Sequence, residues 1–101
     1  MVEHIVLWNF IDSMNKNDKY AAGLKMKELL EPIGKLVPGT IDIKVVFNPL
    51  DTGNKDVALF SRFKTEDDLM AYQIHPAHVE AGKFIKSVTC NRSCFDYQLE
   101  D

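Results

Sequence analysis

The segment from Glu3 to Ile11, EHIVLWNFI, limits the fold of this chain more than any other. Its β-branched and aromatic content predicts a β-strand. Alternate positions place Val2, His4, Val6, Trp8 and Phe10 on one face, and Ile5, Leu7, Asn9 and Ile11 on the other. Both faces are largely apolar. An antiparallel strand with one wet side alternates apolar and polar residues, so this strand needs cover on both sides. Any fold for the chain must put an apolar layer on each face of it.

The 101 residues, 46% of them hydrophobic with one Trp, three Tyr and six Phe, can build one core but not two. A single domain spanning 1–101 is expected, and composition excludes a disordered chain. Twelve basic against fifteen acidic side chains, a net charge of −3, argue against a nucleic-acid binder, which would carry a basic stripe. No run of eighteen apolar residues exists, so no membrane contact is expected. The start, Met1-Val2-Glu3-His4, lacks the basic and apolar regions of a secretory leader, and the expected location is cytoplasmic. Cys90 and Cys94 lie about 13 Å apart along an extended strand, too far for a disulfide with each other, and read as two reduced thiols on one strand face, with a bridge between subunits as the alternative.

The remaining segments fall into a regular order. Asn15 or Asp18 can cap a helix in which Ala22, Met26, Leu29, Leu30 and Ile33 recur every three or four residues, with Pro32 and Gly34 ending it near Glu31. Pro38-Gly39 turns the chain. Thr40–Asn48 and Asp56–Lys64 read as a strand pair, with Ile41, Ile43, Val45 and Phe47 sharing a face of the first. Thr65 caps a helix with acidic residues in its first turn, running to Ile74. His75-Pro76 interrupts it and starts a second helical piece to Ser87, because proline suits the first turn of a helix but not its interior. Cys90–Leu99 closes the order as a strand with Phe95, Tyr97 and Leu99 on one face. Strand, helix, strand, strand, helix, strand is an α+β, ferredoxin-like βαββαβ arrangement with a four-stranded antiparallel sheet. Helices cover one face of that sheet. The simplest cover for the other is a second copy, so a homodimer is expected.

The densest chemical signal is Tyr72-Gln73-Ile74-His75-Pro76-Ala77-His78-Val79. His78, Ala81, Gly82 and Ile85 share a helical face, so His78 points with apolar residues. A histidine placed so is often a hydrogen-bonded core residue. The competing reading is acid–base chemistry, with His78 as base and the Tyr72 hydroxyl as its hydrogen-bonding partner. On one continuous helix these two would point about 120° apart and lie about 9 Å apart along the axis; the break at His75-Pro76 relaxes that geometry. His-x-x-His lacks an obvious third ligand beyond His4 or a carboxylate, and no metal site is expected. His4, beside Val6 and Trp8, lines a cavity or is a buried polar group. No Gly-rich phosphate loop, nucleophile elbow or Cys-x-x-Cys pair is present, and no cofactor is expected.

The start His4-Ile5-Val6-Leu7-Trp8-Asn9-Phe10, the block Tyr72–Val79 and the ending Phe95-Asp96-Tyr97 resemble the stress-responsive A/B barrel domain family over nearly the whole chain. The resemblance implies a ferredoxin-like subunit pairing into a dimeric α+β barrel. It is similar in particular to plant polyketide cyclases of the olivetolic acid type, which work without a cofactor. This implies catalytic roles for Tyr72 and His78, a structural role for His75 and a pocket position for His4. The chain departs from those cyclases at Asp56, where they carry a histidine, and in Met26–Glu28 and Glu80–Phe84. Three functions are therefore open. One is cofactor-free acid–base chemistry, cyclase- or lyase-like, on a carbonyl compound bound in an apolar pocket with Trp8 and Ile85. A second is a non-catalytic stress-response or binding protein for an apolar or aromatic ligand, with His75 and His78 bonded across the turn. The third is a monooxygenase-like dimeric barrel.

Overall fold

The N-terminal strand lies inside the sheet, bonded on both edges. In the computed structural model, which describes residues 1–100, β1 (Val2–Phe10) pairs antiparallel with both β3 (Val57–Phe63) and β4 (Thr89–Gln98). β2 (Thr40–Val46) extends the far side of β3, giving the order β2-β3-β1-β4. The connections carry α1 (Lys16–Leu30), followed by a 3-10 segment Glu31–Lys35, then α2 (Glu66–Ile74) and α3 (Pro76–Val88). This is the ferredoxin-like βαββαβ fold with its second helix broken in two.

The register explains why both faces of β1 are apolar. On the helix-covered face, Val45, Leu59, Val6 and Cys94 form one row across the four strands; Ile43, Ser61, His4 and Asp96 form the next. Val2, Val6, Trp8, Phe10, Leu59 and Phe63 from this face pack with Ala22, Met26 and Leu30 of α1, Tyr72 of α2, and Ala81 and Ile85 of α3. On the opposite face, Lys44, Phe60, Ile5 and Phe95 form a row, flanked by Asp42, Arg62, Glu3 and Tyr97. Among the described residues no element covers that face, and Phe95 is 65% exposed.

Local chemistry sets the helix ends. Asn15 caps α1 in a reciprocal box, accepting from the Asp18 amide while Asp18 accepts from the Asn15 amide. Thr65 caps α2 in the same sense. The turn into β2 requires Gly39, whose φ of +88° is left-handed and whose missing Cβ would run into the Asp68 carboxylate.

Two details differ from the sequence pattern. A register slip between Thr40 and Asp42 takes Ile41 out of the ladder, so it is exposed and does not share the face of Ile43 and Val45; Phe47 lies beyond the strand end. A second slip, in β4, sets Cys90 opposite Asn9 but Cys94 opposite Val6. The extra residue in β4 exchanges the faces, so the two free cysteines do not share one. Asn91 sits in this bulge with φ 54°, a left-handed conformation that asparagine tolerates.

Candidate active site

The break at His75 brings Tyr72 and His78 together. His75 is extended (φ −60°, ψ 136°), ending α2 and starting α3 in one residue. Its ring Nδ1 accepts from the Ala77 amide at 3.1 Å, and its carbonyl accepts from the His78 amide at 2.9 Å. His75 is therefore the N-cap of α3, and the bond across the turn runs through the backbone of His78. With the helix axis redirected here, the Tyr72 and His78 rings meet edge-on, their centroids 4.6 Å apart at 62°.

Tyr72 is fully buried, between Phe63 (5.2 Å) and His78, with His4 6.3 Å away. Its hydroxyl has no partner among the described residues. Burial drives its pKa far upward, so it stays a protonated hydrogen-bond donor across neutral pH. His78 is half-buried. Desolvation lowers its pKa below the usual histidine range; a hydrogen bond to the Gln73 carbonyl pulls the other way, and the nearby His4 and Arg92 add to the lowering. A neutral imidazole beside a neutral phenol results.

Both side chains reach a cavity of about 500 Å³ between the sheet and α3. Val6, Trp8, Leu30, Leu59 and Ile85 make its walls apolar, while Lys86 and Arg92 bring the only formal charges among the lining side chains. Of the residues the sequence singled out, His4, Trp8, Tyr72, His78 and Ile85 line this cavity; His75 does not. Asp56 is also elsewhere, accepting from the Phe10 amide at 2.8 Å and so tying β1 to the start of β3.

Gly82, which the sequence places on the His78–Ile85 helical face, also lines the cavity. Arg92 and Asp96 as neighbours of the site have no counterpart in the sequence reading. Both come from strand pairing, which puts Asp96 opposite His4, where its carboxylate bonds the His4 Nδ1. Nothing local in the sequence marks that contact.

A family model described as the stress responsive A/B barrel domain matches residues 2–99. A dimeric protein of unknown function with a ferredoxin-like fold from Bacteroides fragilis is 32% identical, with a TM-score of 0.88 over 97% of this chain and 95% of that one. A dimeric ferredoxin-like protein from Thermobifida fusca is 22% identical, with a TM-score of 0.79 over 97% and 90% of the two chains. A candidate antibiotic biosynthesis monooxygenase from Nitrosomonas europaea shares the fold at 13% identity, with a TM-score of 0.76 over 97% of each chain. No curated protein sequence matches. With its sheet order, its broken second helix and a family match over nearly its whole length, the chain belongs to the stress-responsive A/B barrel domain family.

Proposed function

We propose that this protein is a cofactor-free acid–base catalyst acting on an apolar carbonyl compound, and that it works as a homodimer. The observation that carries the reading is Tyr72, a cavity-lining residue beside a neutral imidazole, whose hydroxyl is buried and without a partner among the described residues. A buried hydroxyl left unbonded costs about 1–3 kcal/mol, and a ligand atom that reached the Tyr72 hydroxyl from the cavity would relieve that cost. A carbonyl oxygen fits. His78, held neutral by burial, removes a proton from the carbon beside that carbonyl, and Tyr72 donates to the oxygen as negative charge develops there. The apolar walls exclude water from the enolate, and Arg92 and Lys86 supply positive potential at the cavity. Ring closure or bond cleavage then follows from the substrate's own carbon skeleton, in the manner of a cyclase or lyase.

The dimer rests on the uncovered sheet face and on the dimeric state recorded for its relatives from Bacteroides fragilis and Thermobifida fusca. Closing the Phe60–Ile5–Phe95 row against a second copy gives β1 the cover its second face needs.

Deuterium uptake from heavy water at the α-carbon of apolar 1,3-dicarbonyl compounds, followed by NMR, tests the chemistry without knowledge of the natural substrate. Wild type is expected to accelerate exchange, and His78→Gln to lower that rate by about 10²–10⁴-fold while keeping the melting temperature. Compounds that bind the cavity but exchange no faster than in buffer would make this a binding protein. Oxygen consumption during turnover of an aromatic ligand would favour the monooxygenase reading instead.

A further inference from the structure

Outside the cavity chemistry, one cluster joins three metal-ligating groups of different kinds. His4 on β1 meets Cys94 and Asp96 on β4, and the His4 Nδ1, the Cys94 Sγ and an Asp96 carboxylate oxygen all lie within 4.8 Å of one another. The sequence offered no such triad, because His4 lies 90 and 92 positions from Cys94 and Asp96; the β1–β4 register assembles it. We propose that His4, Cys94 and Asp96 form a binding site for a divalent, thiolate-seeking metal ion of the zinc class at the sheet edge, with a fourth position left to water.

The geometry suits a tetrahedral ion. Zinc bonds of about 2.3 Å to sulfur and about 2.0–2.2 Å to nitrogen or oxygen place tetrahedral ligand atoms roughly 3.3–3.6 Å apart. Cys94 Sγ lies 3.8 Å from His4 Nδ1 and 3.6 Å from the Asp96 oxygen. Only the His4–Asp96 contact, now a short hydrogen bond, has to open, and Asp96 sits on an edge strand with its side chain 41% exposed. Its rotamer can move while the buried His4 stays fixed. The donor set discriminates between ions: one thiolate, one imidazole and one carboxylate select zinc or cobalt over magnesium or calcium, which want oxygen alone. Charge is acceptable too. The thiolate and carboxylate neutralise the ion, which has to displace the Cys94 thiol proton: burial and then the Asp96 carboxylate hold that thiol above its usual pKa, with Arg92 pulling the other way. Binding displaces the Cys94 thiol proton, so affinity rises with pH. His4 also lines the cavity, so an ion held on its Nδ1 sits one imidazole away from the pocket that holds Tyr72.

The test uses reduced, metal-free dimer titrated with cobalt(II) and zinc. One cobalt per chain is expected, with a thiolate-to-metal charge-transfer band in the near ultraviolet, displaced by zinc. Zinc should raise the melting temperature, and a chelator should reverse the shift. Cys94→Ser should abolish the band, and Asp96→Asn should weaken zinc binding by at least about tenfold; both positions are exposed, so neither change threatens the core. A hydrogen-bonding role alone would not move the cobalt spectrum. The proposal fails if the band survives Cys94→Ser, if it is lost in Cys90→Ser, or if one ion binds per two chains, which would mean exposed thiols bridging separate molecules. It also fails if zinc affinity instead falls in His75→Ala. Loss of α-carbon exchange in His78→Gln is independent of all these readings.

Discussion

At the scale of single residues, the site is defined by what burial does to two rings. Tyr72→Phe removes a hydroxyl that has no partner among the described residues, so folding should be unchanged or gain about 1 kcal/mol, read as a higher melting temperature. The same change should lower α-carbon exchange by about 10²-fold, the usual scale for removing a donor to a developing oxyanion. A variant that loses stability instead would show the hydroxyl to be bonded in solution. His78 carries a pH signature. Its folded pKa is lowered, so the unfolded chain binds the extra proton first; stability is complete above about pH 6.5 and is lost as pH falls through the folded value. Exchange should follow the same limb, falling as pH drops below about 6.5 and flat above it. His78→Gln should remove both the rate limb and its share of the acid-side loss in melting temperature.

At the scale of elements, the α2–α3 junction is the decisive feature. Tyr72 and His78 sit on different helices because His75 is extended ahead of Pro76, and each helix brings its own apolar face to the sheet. The sequence marks this junction plainly, since a residue before proline avoids helical angles. How near the two rings come could not be read there, because it depends on the angle α3 adopts against the sheet. Gly82, one turn beyond His78, lines the cavity, and a Cβ built on it meets nothing within 4 Å. Gly82→Ala should therefore stabilise α3 by about 0.5–1 kcal/mol, as removing a mid-helix glycine does. Gly82→Leu should keep the fold and occupy the cavity, abolishing exchange with His78 and Tyr72 intact. Exchange unaffected by leucine would place the chemistry outside this cavity.

At the scale of the molecule, one sheet separates two apolar surfaces with different fates. The helix side holds the core and the cavity; the other side presents Phe60, Ile5 and Phe95 in one row with none of the described elements upon it. A stable pair buries on the order of 1,200–2,000 Å² in total, and this face is the surface available for it. Phe95→Asp should turn the dimer into a monomer at micromolar concentration in sedimentation velocity, with the helix-side fold retained by circular dichroism. A dimer that survives the substitution would place the interface elsewhere. Because the cavity lies on the opposite side of the sheet, the monomer should still bind a cavity ligand, although with less stability behind it.

The order of elements, the strand buried on both faces, the caps at Asn15 and Thr65, and the break at His75-Pro76 were all determined by the sequence itself. Each depends on residues within a few positions of one another, where backbone preference and hydrophobic spacing act directly. The tertiary structure decided what depends on pairing between distant strands. The slip at Ile41 and the bulge at Asn91 shift register by a single residue, and a single residue exchanges the faces of a strand, which is why Cys90 and Cys94 part company. The same register delivers Asp96 to His4 across 92 positions. Local patterns carry no record of that distance, because only the packed sheet sets which side chains on β1 and β4 stand opposite each other.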